Sequence, residues 1–421
     1  MSSIKNPTFM NVNITSNFFG NINKENSFAK KNNEQKVKSE LHQDLFWTFR
    51  ILIMFFKLIG LATFTHRIVI YKKRMSYTFQ YSKLGIVYNV VLSSLMIVSN
   101  YMSIPDVLND DYYAKTKLTV SIELLQTVLG ALVTCAIFIS YCIDQKFLVR
   151  IANRLIIIEQ EIDRLYYPLR RQHIFYITII VCILKICLLI LLLFTENLAF
   201  HTGPVSWLTD VLPTFYVGWL LIQYFLLVMV IQTDFADVNR AIQSLTKINA
   251  PDLRLQSLYQ TRRIVVNNST VHQLLQLRDV HCHLCEISED VSSFYSLPVL
   301  FAIIFFFLML VHNGYYLLSP LLMFEDLGYK ILLILSSNTI IWIIFLIYPI
   351  SLLTNRITRI LIEIETTGNI VHDFLNCAIG KETKAELIGT VVTYLIILVQ
   401  FQMASFSSDK QYCNSTGRDL K

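Results

Sequence analysis

Apolar residues in this chain are gathered into long blocks separated by polar connections, without the strict alternation of a half-buried strand. A helix of roughly 20 apolar residues matches the roughly 30 Å hydrocarbon layer of a bilayer. Blocks of that size fall at 84–103, 118–142, 174–195, 211–232, 294–317, 331–353 and 388–406. The pattern predicts an all-α membrane protein with seven transmembrane helices. Two connections carry a different pattern, with apolar residues every three or four positions. Over 143–173 they are Phe147, Leu148, Ile151, Leu155, Ile158, Ile162 and Leu165. Over 233–293 they are Leu255, Leu258 and Tyr259, then Val271, Leu274, Leu275, Leu277, Val280, Leu284 and Ile287. Such spacing predicts amphipathic helices that continue into the cytosol and bury one face there, in a helical domain suited to subunit contacts. Pro251 and the Asn267-Asn268-Ser269 cluster punctuate the second of them.

One further block, Leu45 to Thr65, is apolar enough to cross. However, Arg50 and Lys57 lie seven apart on one face, and basic residues flank it at both ends. That pattern fits an interfacial or re-entrant helix rather than a span. The chain then divides into a polar, disordered segment over 1–44, the helix at 45–65, and transmembrane helices 1–6 with their extensions over 84–380. A last helix with its lead-in follows over 381–406, and a tail over 407–421.

Charge sets the direction of the chain. Lys72, Lys73, Arg74 and Lys83 precede the first block. The second connection carries Lys146, Arg150, Arg154, Arg164, Arg170 and Arg171, and the fourth Arg240, Lys247, Arg254, Arg262, Arg263 and Arg278. The sixth carries Arg356, Arg359, Lys381 and Lys384, whereas the third (196–210) has no Lys or Arg and the fifth only Lys330. Basic connections face the cytosol, so the amino terminus is expected inside and the carboxyl terminus outside. The Asn414-Ser415-Thr416 sequon then lies on the outer tail, making Asn414 a candidate glycosylation site. Sequons at Asn13 and Asn268 fall on the cytosolic side.

With 54% hydrophobic and 16% charged residues over 421 positions, and a mean hydropathy of +0.50, the composition excludes an ordinary soluble enzyme. The net charge of +6 comes from residues flanking apolar blocks, which suits lipid headgroups rather than nucleic acid. Only Cys413 falls on the outer side, so no disulfide framework is expected. No signal peptide is visible. His281-Cys282-His283-Leu284-Cys285 has metal-binding residue types but no partner pair to complete four ligands, so no metal is assigned. No phosphate-binding, dinucleotide or hydrolase motif occurs, no cofactor is expected, and an enzyme is not the reading.

The last block contains Thr393-Tyr394-Leu395-Ile396-Ile397-Leu398-Val399-Gln400-Phe401. At 100° per residue, positions seven apart nearly eclipse. Thr393 therefore lies over Gln400 and Tyr394 over Phe401, a polar stripe beside an aromatic one. An amide facing lipid has no hydrogen-bond partner, so this helix is expected to face protein or water. The nine residues resemble the TYhhhhhQF signature (h, hydrophobic) that closes the last helix of insect gustatory receptors. Leu277-Arg278-Asp279-Val280-His281-Cys282-His283-Leu284 is similar to that family's approach to its fifth helix. The resemblance implies a plasma-membrane chemoreceptor of sensory neurons, a ligand-gated non-selective cation channel opened by a small tastant. It also implies a homo- or hetero-tetramer with other gustatory receptors, with the last helix of each subunit lining the pore. Tyr394, Ile397, Gln400 and Phe401 are the pore candidates, with the rings and aliphatics forming a dewetting gate. The sixth connection, Lys381 to Leu387, runs almost directly into Ile388 and is shorter than the family's. A truncated or accessory non-conducting subunit is therefore an alternative. A seven-helix receptor acting through G proteins is a third reading, and the inward amino end argues against it.

The implied ligand pocket lies among the outer halves of spans two to six. Candidates there are Glu123 and Gln126 in span two, and Tyr216, Trp219 and Gln223 on one face of span four. Asn313 in span five and Asn338, Thr339 and Trp342 in span six complete the set. Aromatics with a few amides and hydroxyls suit a small organic ligand. Lys185, at the middle of span three, is an ionisable group inside the membrane and so a functional candidate in its own right.

Overall fold

A computed structural model describes residues 50–71, 74–109, 117–165, 171–200, 207–248, 268–322 and 329–377. After a helix over 50–58 the chain forms a hairpin of strands β1 (Thr65–Tyr71) and β2 (Arg74–Gln80). Then follow α1 (Lys83–Asn109), α2 (Lys117–Ile143), α3 (Gln145–Leu165), α4 (Arg171–Phe200), α5 (Leu212–Ile248), α6 (Asn268–Leu322) and α7 (Tyr329–Cys377). A single π turn, Trp207–Val211, leads into α5. All of these helices except α3 are long and apolar enough to cross a membrane, six in number. They coincide with the first six predicted blocks, and the chain is a multi-pass membrane protein. The block at 388–406, with Tyr394, Ile397, Gln400 and Phe401, lies outside the described residues, as do Asn414 and residues 1–44.

The helices are not equal partners. In the apolar 18-residue stretch of α5, 78% of the residues are buried inside the protein, against 11% in that of α1. The central helix is therefore α5, packed along α7 and α6, while α1 leans on α2 at the edge. Several helices are far longer than a bilayer is thick. The 55 residues of α6 run about 80 Å at 1.5 Å per residue. Because successive helices alternate in direction, α3, the start of α6 and the ends of α5 and α7 all project at the end of the bundle that carries the hairpin.

The predicted amphipathic extensions are present over the described residues, while Leu255, Leu258 and Tyr259 lie outside them. Leu148, Ile151, Ile158 and Ile162 of α3 and Leu277, Val280, Leu284 and Ile287 of α6 are buried. Arg154 of α3 donates to Glu286 at 2.7 Å and to Asp290 at 2.9 Å on α6. Asn239 of α5 donates to the Glu363 carbonyl of α7 at 3.0 Å and accepts from Thr367 at 2.5 Å.

Two features depart from the expected all-α pattern. The first is the hairpin itself, paired antiparallel from Thr65↔Gln80 to Tyr71↔Arg74. Asn153 of α3 docks it, accepting from the Phe79 amide at 2.8 Å and donating to the Phe79 carbonyl at 3.0 Å. The second is the segment predicted as a helix through Thr65, which stops helical winding at Leu58. Gly60 adopts φ +81, Leu61 N–H bonds to the Phe56 carbonyl at 2.8 Å, and Gly60 N–H bonds to Lys57 at 3.2 Å. This pair of bonds around a left-handed glycine is a Schellman stop. The non-helical residues beyond it, Leu61 to Phe64, are buried in the bundle.

Carbonyls in such a buried segment cannot stay bare without cost, and helix side chains reach in to meet them. Tyr88 donates to Leu58 O at 2.6 Å, Asn89 to Gly60 O at 2.9 Å, and Gln223 to Leu61 O at 3.0 Å. Gln145 donates to Thr63 O, and Thr63 Oγ1 to Tyr141 O at 3.3 Å. The segment predicted as interfacial or re-entrant is thus stitched to α1, α2, α3 and α5. Gly85 of α1 permits the approach, because a Cβ there would run into the Thr63 carbonyl. Gly85→Ala should destabilise the detergent-solubilised protein by about 1–3 kcal/mol, the usual cost of forced overpacking. Gly314→Ala, where a Cβ meets nothing within 4 Å, is the control and should show no loss of thermal stability.

Candidate functional site

The alternation of helix directions puts the start of α2, the end of α4, the start of α5, the end of α6 and the start of α7 at the end of the bundle opposite the hairpin. Most of the candidate ligand residues gather there, in two groups. In the first, Glu196 of α4 is buried against α7. Its Oε2 accepts from Trp342 Nε1 at 2.8 Å and from Asn338 Nδ2 at 3.0 Å. Thr195 in turn donates to Asn338 Oδ1 at 2.9 Å. Asn338 and Trp342 share a face of α7 because they are four residues apart, one turn of helix. Thr339, also buried, bonds back to Leu335 O at 3.0 Å in its own helix and takes no part.

The second group lies between α2 and α6. Tyr316 donates to Glu123 Oε1 at 2.7 Å, and its ring meets His312 edge-on at 4.7 Å. Gln126 is less than a turn further along α2, and its Oε1 is buried with no hydrogen-bond partner among the described residues. Asn313 of α6 turns its Nδ2 to Met309 O at 2.8 Å. Below this group α2, α5 and α6 converge at Gly130, where a Cβ would sit 3.1 Å from Pro213 and 3.2 Å from Phe305.

The three α5 candidates form the wall between this end and the re-entrant segment. Tyr216 packs edge-on against Phe138 at 5.0 Å. Trp219 is 1% exposed and meets Phe55 edge-on at 4.5 Å, and its Nε1 has no hydrogen-bond partner among the described residues. Gln223 uses both ends of its amide on protein, accepting from Tyr141 at 2.6 Å while donating to Leu61 O. The Tyr141 hydroxyl proton is committed to Gln223, so Tyr295, 3.4 Å away, is the donor between the two phenols. Tyr295 also stacks on Tyr224 at 4.7 Å. Gln223 therefore sits at the junction of the re-entrant segment with α2, α5 and α6.

A cavity of about 220 Å³ lies between α5, α6 and α7, toward the hairpin end and away from both groups. Tyr224, Tyr295, Ser292, Ser296 and Thr354 give it a few hydroxyls among aliphatic walls. His281, 1% exposed, and Cys285 contact each other at 3.6 Å, and no set of three or more metal-ligating side chains occurs among the described residues.

Sequence reasoning found Asn338 and Trp342 but missed Glu196, the acid that they serve. Its signal was present: a carboxylate near the end of an apolar block, eleven residues from Lys185 and hence on the same helical face. Chemically, each group offers a carboxylate acceptor edged by amide, indole or phenol donors. Such an array can trade an internal hydrogen bond for one to a polar ligand.

The sequence profile of the family described as 7tm Chemosensory receptor matches residues 49–388. No curated protein matches the chain. The matched stretch runs from the re-entrant segment through α7 and stops before Thr393, where the terminal motif begins.

Replacing Trp342 by Phe removes one of the two donors to a buried carboxylate. It should cost about 1–3 kcal/mol of stability in a thermal melt, while Thr339→Val, whose hydroxyl bonds only within its own helix, should cost less than 1.

Proposed function

The chain belongs to the 7tm chemosensory receptor family, and we propose that it is a gustatory chemoreceptor, a ligand-gated non-selective cation channel opened by a small-molecule tastant. In this reading it sits in the plasma membrane of sensory neurons and crosses it seven times. The amino terminus and hairpin end lie in the cytosol, and the 407–421 tail lies outside. It assembles as a homo- or hetero-tetramer with other gustatory receptors, surrounded by lipid, and the last helix of each subunit lines the pore. The observation that carries the reading is the complete TYhhhhhQF pattern at Thr393–Phe401. That pattern lies beyond the stretch matched by the family profile and so adds to it independently. The clustering of basic residues on alternate connections supports the orientation.

The tastant is assigned to the end of the bundle bearing Glu196, Asn338 and Trp342 on one side and Glu123, Gln126 and Tyr316 on the other. Both groups present acceptors with attached donors, which suits a ligand rich in hydroxyl or amine groups rather than a purely apolar one. Tyr216, Trp219 and Asn313 supply aromatic and amide surface between them. Tyr394, Ile397, Gln400 and Phe401 are assigned to the pore, with Gln400 hydrating ions near the mouth.

A second reading is an accessory, non-conducting subunit. It is favoured by the short sixth connection, in which Lys381 to Leu387 runs almost directly into Ile388. Whole-cell recording against a tastant panel decides between the two. Cation currents from the chain expressed alone support a channel. Silence alone, with altered currents on mixing with a full-length partner, supports the accessory role. In the conducting case Gln400→Ala and Phe401→Ala should each change conductance or rectification. Unchanged currents in both would remove the last helix from the pore.

A further inference from the structure

Pro349 lies inside α7, about two turns beyond Trp342. A proline within a helix has no N–H to give the carbonyl four residues earlier. That carbonyl belongs to Phe345, which is fully buried near the middle of the crossing segment. Left bare in a water-free interior, it would carry the full cost of an unmet acceptor. The missing donor is present, and it comes from another helix. Lys185 Nζ of α4 donates to Phe345 O at 3.2 Å and lies 3.1 Å from the centre of the Phe345 ring.

The site is built for this ammonium group. Lys185 is 1% exposed, and among the described residues no carboxylate stands within ion-pair distance of it. Room for its head group comes from Gly218 of α5, where a Cβ would sit 2.9 Å from Nζ and 3.1 Å from Cε. The Phe345 ring face adds a cation–π contact, which gains strength when the cation is desolvated. Three residues beyond the freed carbonyl, Tyr348 donates to Val181 O of α4 at 3.3 Å, a second tie between α4 and α7 just before Pro349.

We propose that Lys185 is the surrogate donor for the carbonyl that Pro349 strips of its partner, forming a clamp that holds the break in α7 against α4 and α5. A bend of α7 at this point has to carry the clamp along or release it. The device is a pinned hinge: proline supplies the flexible point, lysine the pin, and Gly218 the seat. The clamp depends on the packing of α4, α5 and α7 alone and not on channel activity.

The test is a double-mutant cycle read by hydrogen–deuterium exchange of α7 peptides spanning residues 340–357 in the purified, detergent-solubilised chain. Lys185→Met should speed exchange there by about tenfold, the loss of one charge-assisted hydrogen bond. In the Pro349→Ala background the alanine N–H restores the helical bond, and adding Lys185→Met should then change exchange by less than about twofold. Folding of Lys185→Met only when Pro349→Ala is present would support the clamp equally. Equal acceleration in both backgrounds, or failure to fold in both, would overturn it. As a second arm, Gly218→Ala should speed exchange when Lys185 is present and have little effect once Lys185 is Met. An effect independent of Lys185 would remove the seat from the account.

Discussion

A backbone carbonyl inside a bilayer has no water to bond, and much of this structure follows from how that demand is met wherever regular helix fails. Two such places stand out among the described residues. At residues 59–64 the chain leaves helical geometry inside the bundle, and at Pro349 a helix loses one rung. In both cases a side chain from another helix supplies the donor: Asn89, Gln145 and Gln223 for the first, Lys185 for the second. Of these donors, Asn89, Gln223 and Lys185 are polar residues that otherwise look out of place in apolar blocks.

The same demand explains why α5 is the hub. It carries Gln223, which meets the re-entrant segment, and Gly218, which seats Lys185, while Tyr216 and Trp219 pack against α2 and the re-entrant phenylalanines. A helix buried on nearly every side can hold such groups without exposing them to lipid. By contrast α1 turns Leu84, Val87, Val91, Leu95 and Val98 outward, as a lipid-facing helix must. The polar groups at the far end, around Glu196 and Glu123, are then set on a frame whose centre is fixed by α5 and whose hairpin end is plugged by residues 55–64.

Much of this was legible in the sequence, because hydropathy over some twenty residues reports span length and the 3–4 spacing of Phe147 to Leu165 reports a one-sided helix. The hairpin was not. His66-Arg67-Ile68-Val69-Ile70-Tyr71 and Arg74-Met75-Ser76-Tyr77-Thr78-Phe79 carry β-branched and aromatic residues. Lys72 and Lys73 between them and Arg74, however, served the argument about membrane orientation, and the strand signal beneath went unread. The segment ending at Thr65 was read as continuous helix although Gly60 stands where the Schellman stop falls. Glu196 was passed over because it sits at a block's edge, where a carboxylate ordinarily meets water. The role of Lys185 needs the four-residue relation between Phe345 and Pro349 and the proximity of another helix, and only the first is written in one dimension.

The central claim is that residues 59–64 form a dry, pinned plug within the bundle. Reactivity of Ala62→Cys toward a membrane-impermeant thiol reagent, applied from each side in turn and compared with the parent chain, tests it most directly. The account predicts no labelling above the parent from either side, and labelling from the hairpin side once Gln223→Leu and Asn89→Leu remove two of the donors. Prompt labelling of Ala62→Cys with those donors intact would mean that the segment is bathed in water, and the account would fail.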